Sequence, residues 1–337
     1  MASRFFSTKK SHFLATIVVV SAAVIWWTLF SPITPSAAVA KQIGSIGPGR
    51  LAEHIKRLTE IGPRDGDNIR ATRATIDYIS ERLRGLGYEP IEEAIQWPGF
   101  GGQGHVNLIA EKRGTKYPNQ IVELGAHYDT VPMSPGADDN ASGVAGVLEA
   151  ARVLRDLPTE RTIRFCFFGL EEKGLIGSRS HVAAFQKTPQ REVLGLLNLE
   201  MIACRKAWPD SQDAPIRIPI IASLPTTGDF ITVVGDFASG PLGNLFEACV
   251  NAYVPELNYF SANRIGGYFG DAARSDHSPY WEADLPGIML TDTAEFRNHN
   301  YHQPSDTFES LDLEFAAQVS RATAATMAHW AVLSGSG

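Results

Sequence analysis

The chain has 337 residues, of which 44% are apolar and 20% charged, with a formal net charge of -7. This is an ordinary globular balance, which excludes disorder over most of the chain and suits one large domain or two medium ones. The negative balance and the lack of a long basic run exclude nucleic acid as a natural partner.

At the N-terminus Arg4, Lys9 and Lys10 precede an uncharged run from Phe13 to Phe30. That run reaches the lower length limit for crossing a bilayer. Its positive flank predicts a cytoplasmic N-terminus with the rest of the chain outside. Residues 1–30 therefore read as a signal or membrane-anchor segment, and the working location as extracytoplasmic: secreted, periplasmic or membrane-anchored. Ala38-Val39-Ala40 fits a signal-peptidase site; without cleavage the run ties the chain to the membrane. Residues 31–49, rich in Ser, Pro, Ala and Gly, read as a linker, and residues 50–335 as one folded domain.

Within that domain, helical spacing of apolar residues predicts helices over Leu51–Ile61 and Asn68–Leu86, the second stopped by Gly87. His105–Ala110 and Ile121–Gly125 are short apolar runs joined by a turn-rich stretch from Gly114 to Asn119, which predicts a hairpin. Further along, Ser142–Leu157 reads as a helix, Thr162–Phe168 as a central strand covered on both faces, Gly177–Phe185 as a short helix and Val193–Leu199 as a buried strand. Ile216–Ile221 and Phe230–Val234 are weaker strands, Leu242–Tyr253 a helix, Pro286–Leu290 a strand and Leu313–Leu333 a closing helix. Alternating strands and helices predict an α/β fold, a three-layer α-β-α sandwich around a mixed, mostly parallel sheet. The three cysteines form no CxxC pair: Cys166 reads as a core residue, and a disulfide between Cys204 and Cys249 is left open.

Open α/β sheets bind ligands beyond the carboxyl ends of their strands. Five polar segments fall there. His127 follows a strand directly, and Asp129 is close enough to fix its tautomer. Asp138 and Asp139 open a helix where only one acid can cap, leaving a carboxylate free to bridge two cations. Glu171 and Glu172 are adjacent acids at a strand end, costly unless something positive binds there. One can ligate a metal while the other acts as general base. Glu200 ends an apolar strand, as a surface residue or a ligand. Tyr301 and His302 lie in a loop before the last helix, with His299 near them and the cluster Ser275-Asp276-His277-Ser278 upstream.

These residues form the inventory for two zinc ions: one histidine and one terminal carboxylate for each, with a shared aspartate between. With these motifs in this order, the chain resembles the co-catalytic two-zinc aminopeptidases of peptidase clan MH, relatives of glutamate carboxypeptidase II and glutaminyl cyclase. The resemblance runs from about Leu51 to the C-terminus. It implies that His127 and Glu200 bind one zinc, Glu172 and His302 the other, and Asp139 both. It implies Glu171 as general base and Tyr301 as a donor to the developing oxyanion. Asp129 and Asp276 become partners of His127 and His302. Many relatives carry Asp where this chain has Glu200. The implied activity is hydrolysis of N-terminal residues from peptides by a metal-bound water. Two other readings share the fold: a glutaminyl cyclase-like acyltransferase with one zinc, and an inactive binding protein. Arg205, Arg297 and Asn298 lie near the ligand segments, facing substrate or, for the arginines, in surface salt bridges. Oligomeric state and side-chain preference are not legible in the sequence.

Overall fold

The most strand-like run of the sequence becomes a central strand. Arg161–Phe168 (β4) is buried at every position after the first, because both faces of the sheet are covered. The computed structural model describes residues 33–98, 104–188, 190–214 and 225–332. The N-terminal run from Phe13 to Phe30 and the weak strand predicted over Ile216–Ile221 lie outside them, as do residues 333–337. No helix among the described residues is long and apolar enough to cross a membrane.

From Pro35 onward the chain forms one unit. Its strands are Ile91–Ala94 (β1), Val106–Lys112 (β2), Tyr117–His127 (β3), β4, Glu192–Glu200 (β5), Phe230–Gly235 (β6), Asn258–Ala262 (β7) and Gly287–Thr291 (β8). They make one sheet in the order β1-β2-β4-β3-β5-β8-β6-β7. The pairs β3–β4, β3–β5, β5–β8 and β6–β7 are parallel; β1–β2, β2–β4 and β6–β8 are antiparallel. The helices are Ala37–Ile43 (α1), Pro48–Ile61 (α2), Ile69–Gly85 (α3), Gly143–Leu154 (α4), Ile176–Phe185 (α5), Gly240–Tyr253 (α6), Ser278–Glu282 (α7) and Leu313–Trp330 (α8). Helices α1, α2, α4 and α6 pack around α8 on one side of the sheet, with α3 beside α4, while α5 and α7 pack together on the other. The mixed sheet between two helical layers is the predicted sandwich.

Two expectations are corrected. The segments at 105–110 and 121–125 are strands but not a hairpin, since β4 inserts between β2 and β3. The Gly114 amide instead donates to the Thr162 hydroxyl at 3.1 Å, tying the connection to β4. The stretch read as a linker over 31–49 contains α1, which Ser36 caps and which buries Val39 and Ile43. The Ser36 N–H also donates to the Tyr253 hydroxyl at 2.6 Å. Ala38-Val39-Ala40 thus sits inside a docked helix. All three cysteines are buried and free, so Cys204 and Cys249 are not joined.

A buried ionic network crosses the sheet away from its carboxyl edge. Glu123 on β3 is fully buried and accepts from Arg164 at 2.6 Å and from the Tyr280 hydroxyl at 2.5 Å. His181 spans Glu123 at 3.1 Å and Glu93 at 2.8 Å. Burial alone would raise the Glu123 carboxyl, but His181 and Arg164 hold it at about 2. A buried ion of this kind persists only when fully paired.

Candidate active site

The ligand-bearing residues leave the sheet at neighbouring strand ends. His127 is the last residue of β3 and Glu200 the last of β5, and these two strands are paired. Glu171 and Glu172 follow β4 on the other side of β3. Asp139 lies in the turn of π-helix Ala137–Ser142 that enters α4, and the Asp139–Asn140 peptide is cis. Leu170, Met201 and His302 all take left-handed backbone conformations, with φ of 58°, 54° and 60°. Non-glycine residues are held there only when the surrounding structure insists on it, commonly at functional sites.

Asp139 stands between the two histidines. Its Oδ1 lies 3.4 Å from His127 Nε2 and its Oδ2 3.2 Å from His302 Nε2. His127 Nε2 is also 3.2 Å from Glu200 Oε1, and His302 Nε2 is 3.2 Å from Glu172 Oε2. Glu171 offers an oxygen within 4.8 Å of the donor atoms of His127 and Glu200. The structure therefore brings His127, Asp139, Glu171, Glu172, Glu200 and His302 to one place. Glu200 reaches it despite its extra methylene. Its Oε2 accepts from the Ser275 hydroxyl at 2.6 Å, and Ser275 accepts in turn from Asn198 at 2.8 Å. Exposed His299 is not part of the cluster.

The donor set fits cations. Burial lifts the Glu171 carboxyl well above its usual range, with Glu200, Glu172 and Asp276 adding to it against the pull of His127. Burial, with Asp139 adding, lifts Glu172 to about 7. Burial disfavours charge on His127, yet Glu200 and Glu171 raise its pKa well above normal. His302 is raised to about 10: burial opposes this, and Asp139 and Glu172 outweigh it. Asp139 is held well below the usual range; burial opposes this too, and both histidines overcome it. Glu172 Oε1 and His302 Nε2 are buried with no hydrogen-bond partner among the described residues. Nitrogen and oxygen donors crowded at such spacing, short of positive charge and partly unbonded, are what zinc sites offer.

Supporting residues hold the ligands. His127 Nδ1 lies 3.1 Å from the Asp129 carbonyl and 3.6 Å from its Oδ1, as expected for a tautomer-fixing partner. The Asp129 carboxylate also accepts from the Glu171 and Glu172 N–H groups, at 3.1 Å each. Asp276 does not support His302, the role the resemblance implied. No contact joins them among the described residues. Burial lifts the Asp276 carboxyl to about 7, with His127 opposing and Glu200 and Asp129 adding, and Ser275 beside it donates to Glu200 on the His127 side of the cleft. Its neighbour His277 is buried and turned away, with Nε2 2.7 Å from the Ala272 carbonyl. Tyr301 stacks on His302 with ring centroids 3.7 Å apart, and its hydroxyl accepts from Arg274 at 3.2 Å.

Of the residues near the ligands, Arg205 pairs with Asp312 at 2.8 Å, a partly exposed salt bridge. Arg297 is neither at the surface nor facing the cleft: it is fully buried and donates to the Cys204 and Phe230 carbonyls. Asn298 donates to Asp138 at 2.7 Å. Sequence reasoning missed Arg64. It is buried and donates to the carbonyls of Leu58, Tyr128, Pro135 and Gly136, bracing the loop between His127 and Asp139. Its one signal was an arginine after Gly62-Pro63 at a helix end.

Beyond the acids the cleft opens into a cavity of about 480 Å³. One wall is the sheet itself, with Phe230, Val234, Phe260, Ala262 and Met289 from β6, β7 and β8. Phe269, Phe296 and Tyr301 also line it.

Known proteins resemble this chain in sequence and in fold. The model of "Peptidase family M28" matches residues 107–327. The uncharacterized protein YfbL of Escherichia coli K12 is 33% identical over 87% of this chain and 89% of its own length. Aminopeptidase YwaD of Bacillus subtilis is 30% identical over 66% of this chain, but the match spans only 44% of YwaD, less than half of that protein. The Legionella pneumophila LapA aminopeptidase superimposes with a TM-score of 0.70 at 21% identity, over 87% of this chain and 74% of LapA.

Proposed function

Since the chain belongs to peptidase family M28, matched over more than half of its length, we propose that it is a zinc-dependent aminopeptidase releasing apolar N-terminal residues from peptides. The observation that carries this reading is Asp139, with one oxygen toward His127 and the other toward His302.

One zinc ion is assigned to His127, Asp139 and Glu200, and a second to Asp139, Glu172 and His302. Such a pair supplies Lewis acidity at the scissile carbonyl and neutralises the clustered carboxylates. The protein's own residues do the rest. Glu171, at the edge of the cluster, takes the proton of the attacking water and returns it to the leaving amine. The Tyr301 hydroxyl accepts from Arg274, which leaves its own proton free for the developing oxyanion. Asp129 keeps His127 in one tautomer and holds the backbone of both glutamates. The apolar wall of Phe230, Val234, Phe260, Ala262 and Met289 receives the side chain of the N-terminal residue.

We place this work outside the cytoplasm, on the strength of the basic flank and apolar run over residues 1–30. Protease protection of intact cells, read on the C-terminal domain, tests that assignment. The activity is tested with a leucine or phenylalanine chromogenic amide, with chelator and after zinc is restored. Hydrolysis that stops with chelator and returns with zinc is expected. Cyclisation of an N-terminal glutamine peptide by a one-zinc protein would establish the acyltransferase instead, and zinc binding without either reaction a binding protein.

A further inference from the structure

His302 is the least supported of the proposed ligands. His127 has Asp129 at its far ring nitrogen, whereas no hydrogen bond orients the His302 ring among the described residues. Its position depends on stacking against Tyr301 and on where its backbone is held. Just beyond it the chain folds back under the segment carrying Asp139. There the Asp306 carboxylate accepts from two successive backbone amides, Asp138 N–H on Oδ1 at 3.0 Å and Asp139 N–H on Oδ2 at 3.1 Å. The Asp306 carbonyl accepts from the Ala137 N–H at 3.2 Å. Asp306 and the residues it holds are buried.

The arrangement repeats across the cleft. Asp129, two positions after His127, straddles the N–H groups of Glu171 and Glu172 in the same way. Each histidine loop thus grips the backbone of an acid that shares its site. Resting on the two-ion reading above, we propose that Asp306 is a positioning residue that fixes the spacing of Asp139 and His302 and so sets the affinity of the ion they share with Glu172. A ligand cluster tolerates errors of only about 0.5 Å, and partners that hold ligands in place commonly alter metal affinity ten- to a hundredfold. The ion on His127 and Glu200 shares only Asp139 with this loop, so it feels the loss less.

The test is zinc titration of metal-free protein by calorimetry, on the wild type, D306N and D306A. Asparagine keeps the shape and one acceptor, but turns an N–H donor toward a backbone N–H. Uptake in two steps is expected for the wild type. In D306N one step weakens at least tenfold, more in D306A, while the other stays within about threefold. The thermal midpoint of metal-free D306N stays near that of the wild type. Two unchanged steps overturn the proposal. So does equal weakening of both, or a D306N that does not fold, because Asp306 then serves the fold as a whole. If D306A alone fails to fold, D306N decides. A wild type that takes up no second ion sinks the two-ion reading instead, so the two failures are distinguishable.

Discussion

His127 and Asp139 approach within 3.4 Å through Nε2 and Oδ1, both side chains almost wholly buried. Beyond the acids and histidines of the same cluster, the one ion pair that either makes among the described residues is that of His127 with Asp129. The chemistry of the cleft follows from that crowding.

Glu171 is near His127 and Glu200 but is not needed to complete either proposed ion. Removing its basicity should spare metal and stop turnover. Glu171→Gln is expected to lower kcat by about a thousandfold, within the range for loss of a general base, with zinc content by mass spectrometry unchanged. Loss of zinc with activity retained would refute the role.

The apolar wall makes a specificity prediction. Ala262 lies on β7 facing the cavity. Ala262→Trp should fill the space and lower kcat/KM for a phenylalanine amide about tenfold relative to an alanine amide, a difference of about 1.4 kcal/mol. An unchanged ratio would mean that the N-terminal side chain binds elsewhere.

Arg64 donates to five backbone carbonyls. Arg64→Met leaves buried acceptors unpaired, and each such loss costs about 1–3 kcal/mol. A fall in urea midpoint together with faster zinc loss to chelator is expected. A fall in midpoint with zinc retention unchanged would confine Arg64 to the fold.

The network around Glu123 sets a pH window for stability. Glu123 is depressed to about 2, so its contribution is complete above the ordinary carboxylate range and is lost as pH falls toward 2. The His181 pKa is raised: burial opposes this, and Glu123 outweighs it. Its contribution is therefore complete below about 6.5 and lost as pH rises through its folded value. Glu123→Gln leaves Arg164 and His181 short of a partner and should cost about 3–5 kcal/mol near pH 6. The gap from wild type should narrow toward pH 2 in denaturation curves. A constant gap from pH 6 down would argue against ionisation of Glu123. Cys166, Glu123 and His181 also lie close enough to hold a metal, but Arg164 already occupies Glu123 Oε1 and repels a cation there.

Truncation tests the N-terminal helix. Removal through residue 40 takes away Ser36 and its bond to Tyr253, along with buried Val39. Compared with removal through residue 32, a loss of about 2 kcal/mol is expected from the buried side chain alone. Equal stability would show that α1 adds nothing to the domain.

His127, Glu171, Glu172 and Glu200 were legible because each is a charged or imidazole group at or just beyond the end of an apolar run, whereas Asp139 stood out as one of two acids at a helix start and His302 came through the resemblance. Thr162–Phe168 was legible as a central strand because apolar residues fall on both of its faces. The hairpin was misread because adjacency in sequence says nothing of a strand inserted later, as β4 is. Strands β1 and β7 carry only partly covered, irregular patterns and gave no signal. Asp306 was visible as a residue but not in its role, since the amides it holds lie 167 and 168 positions away. Asp276 was paired with His302 only through the resemblance, and no contact joins the two among the described residues.

Strands β6 and β7 form a wall of the cavity yet donate no residue to the ligand cluster. On the proposed reading, recognition and reaction fall on separate stretches of chain. Substitution at Phe230, Val234, Phe260 or Ala262 would then reshape the cavity while every ligand-bearing strand end stays as it is.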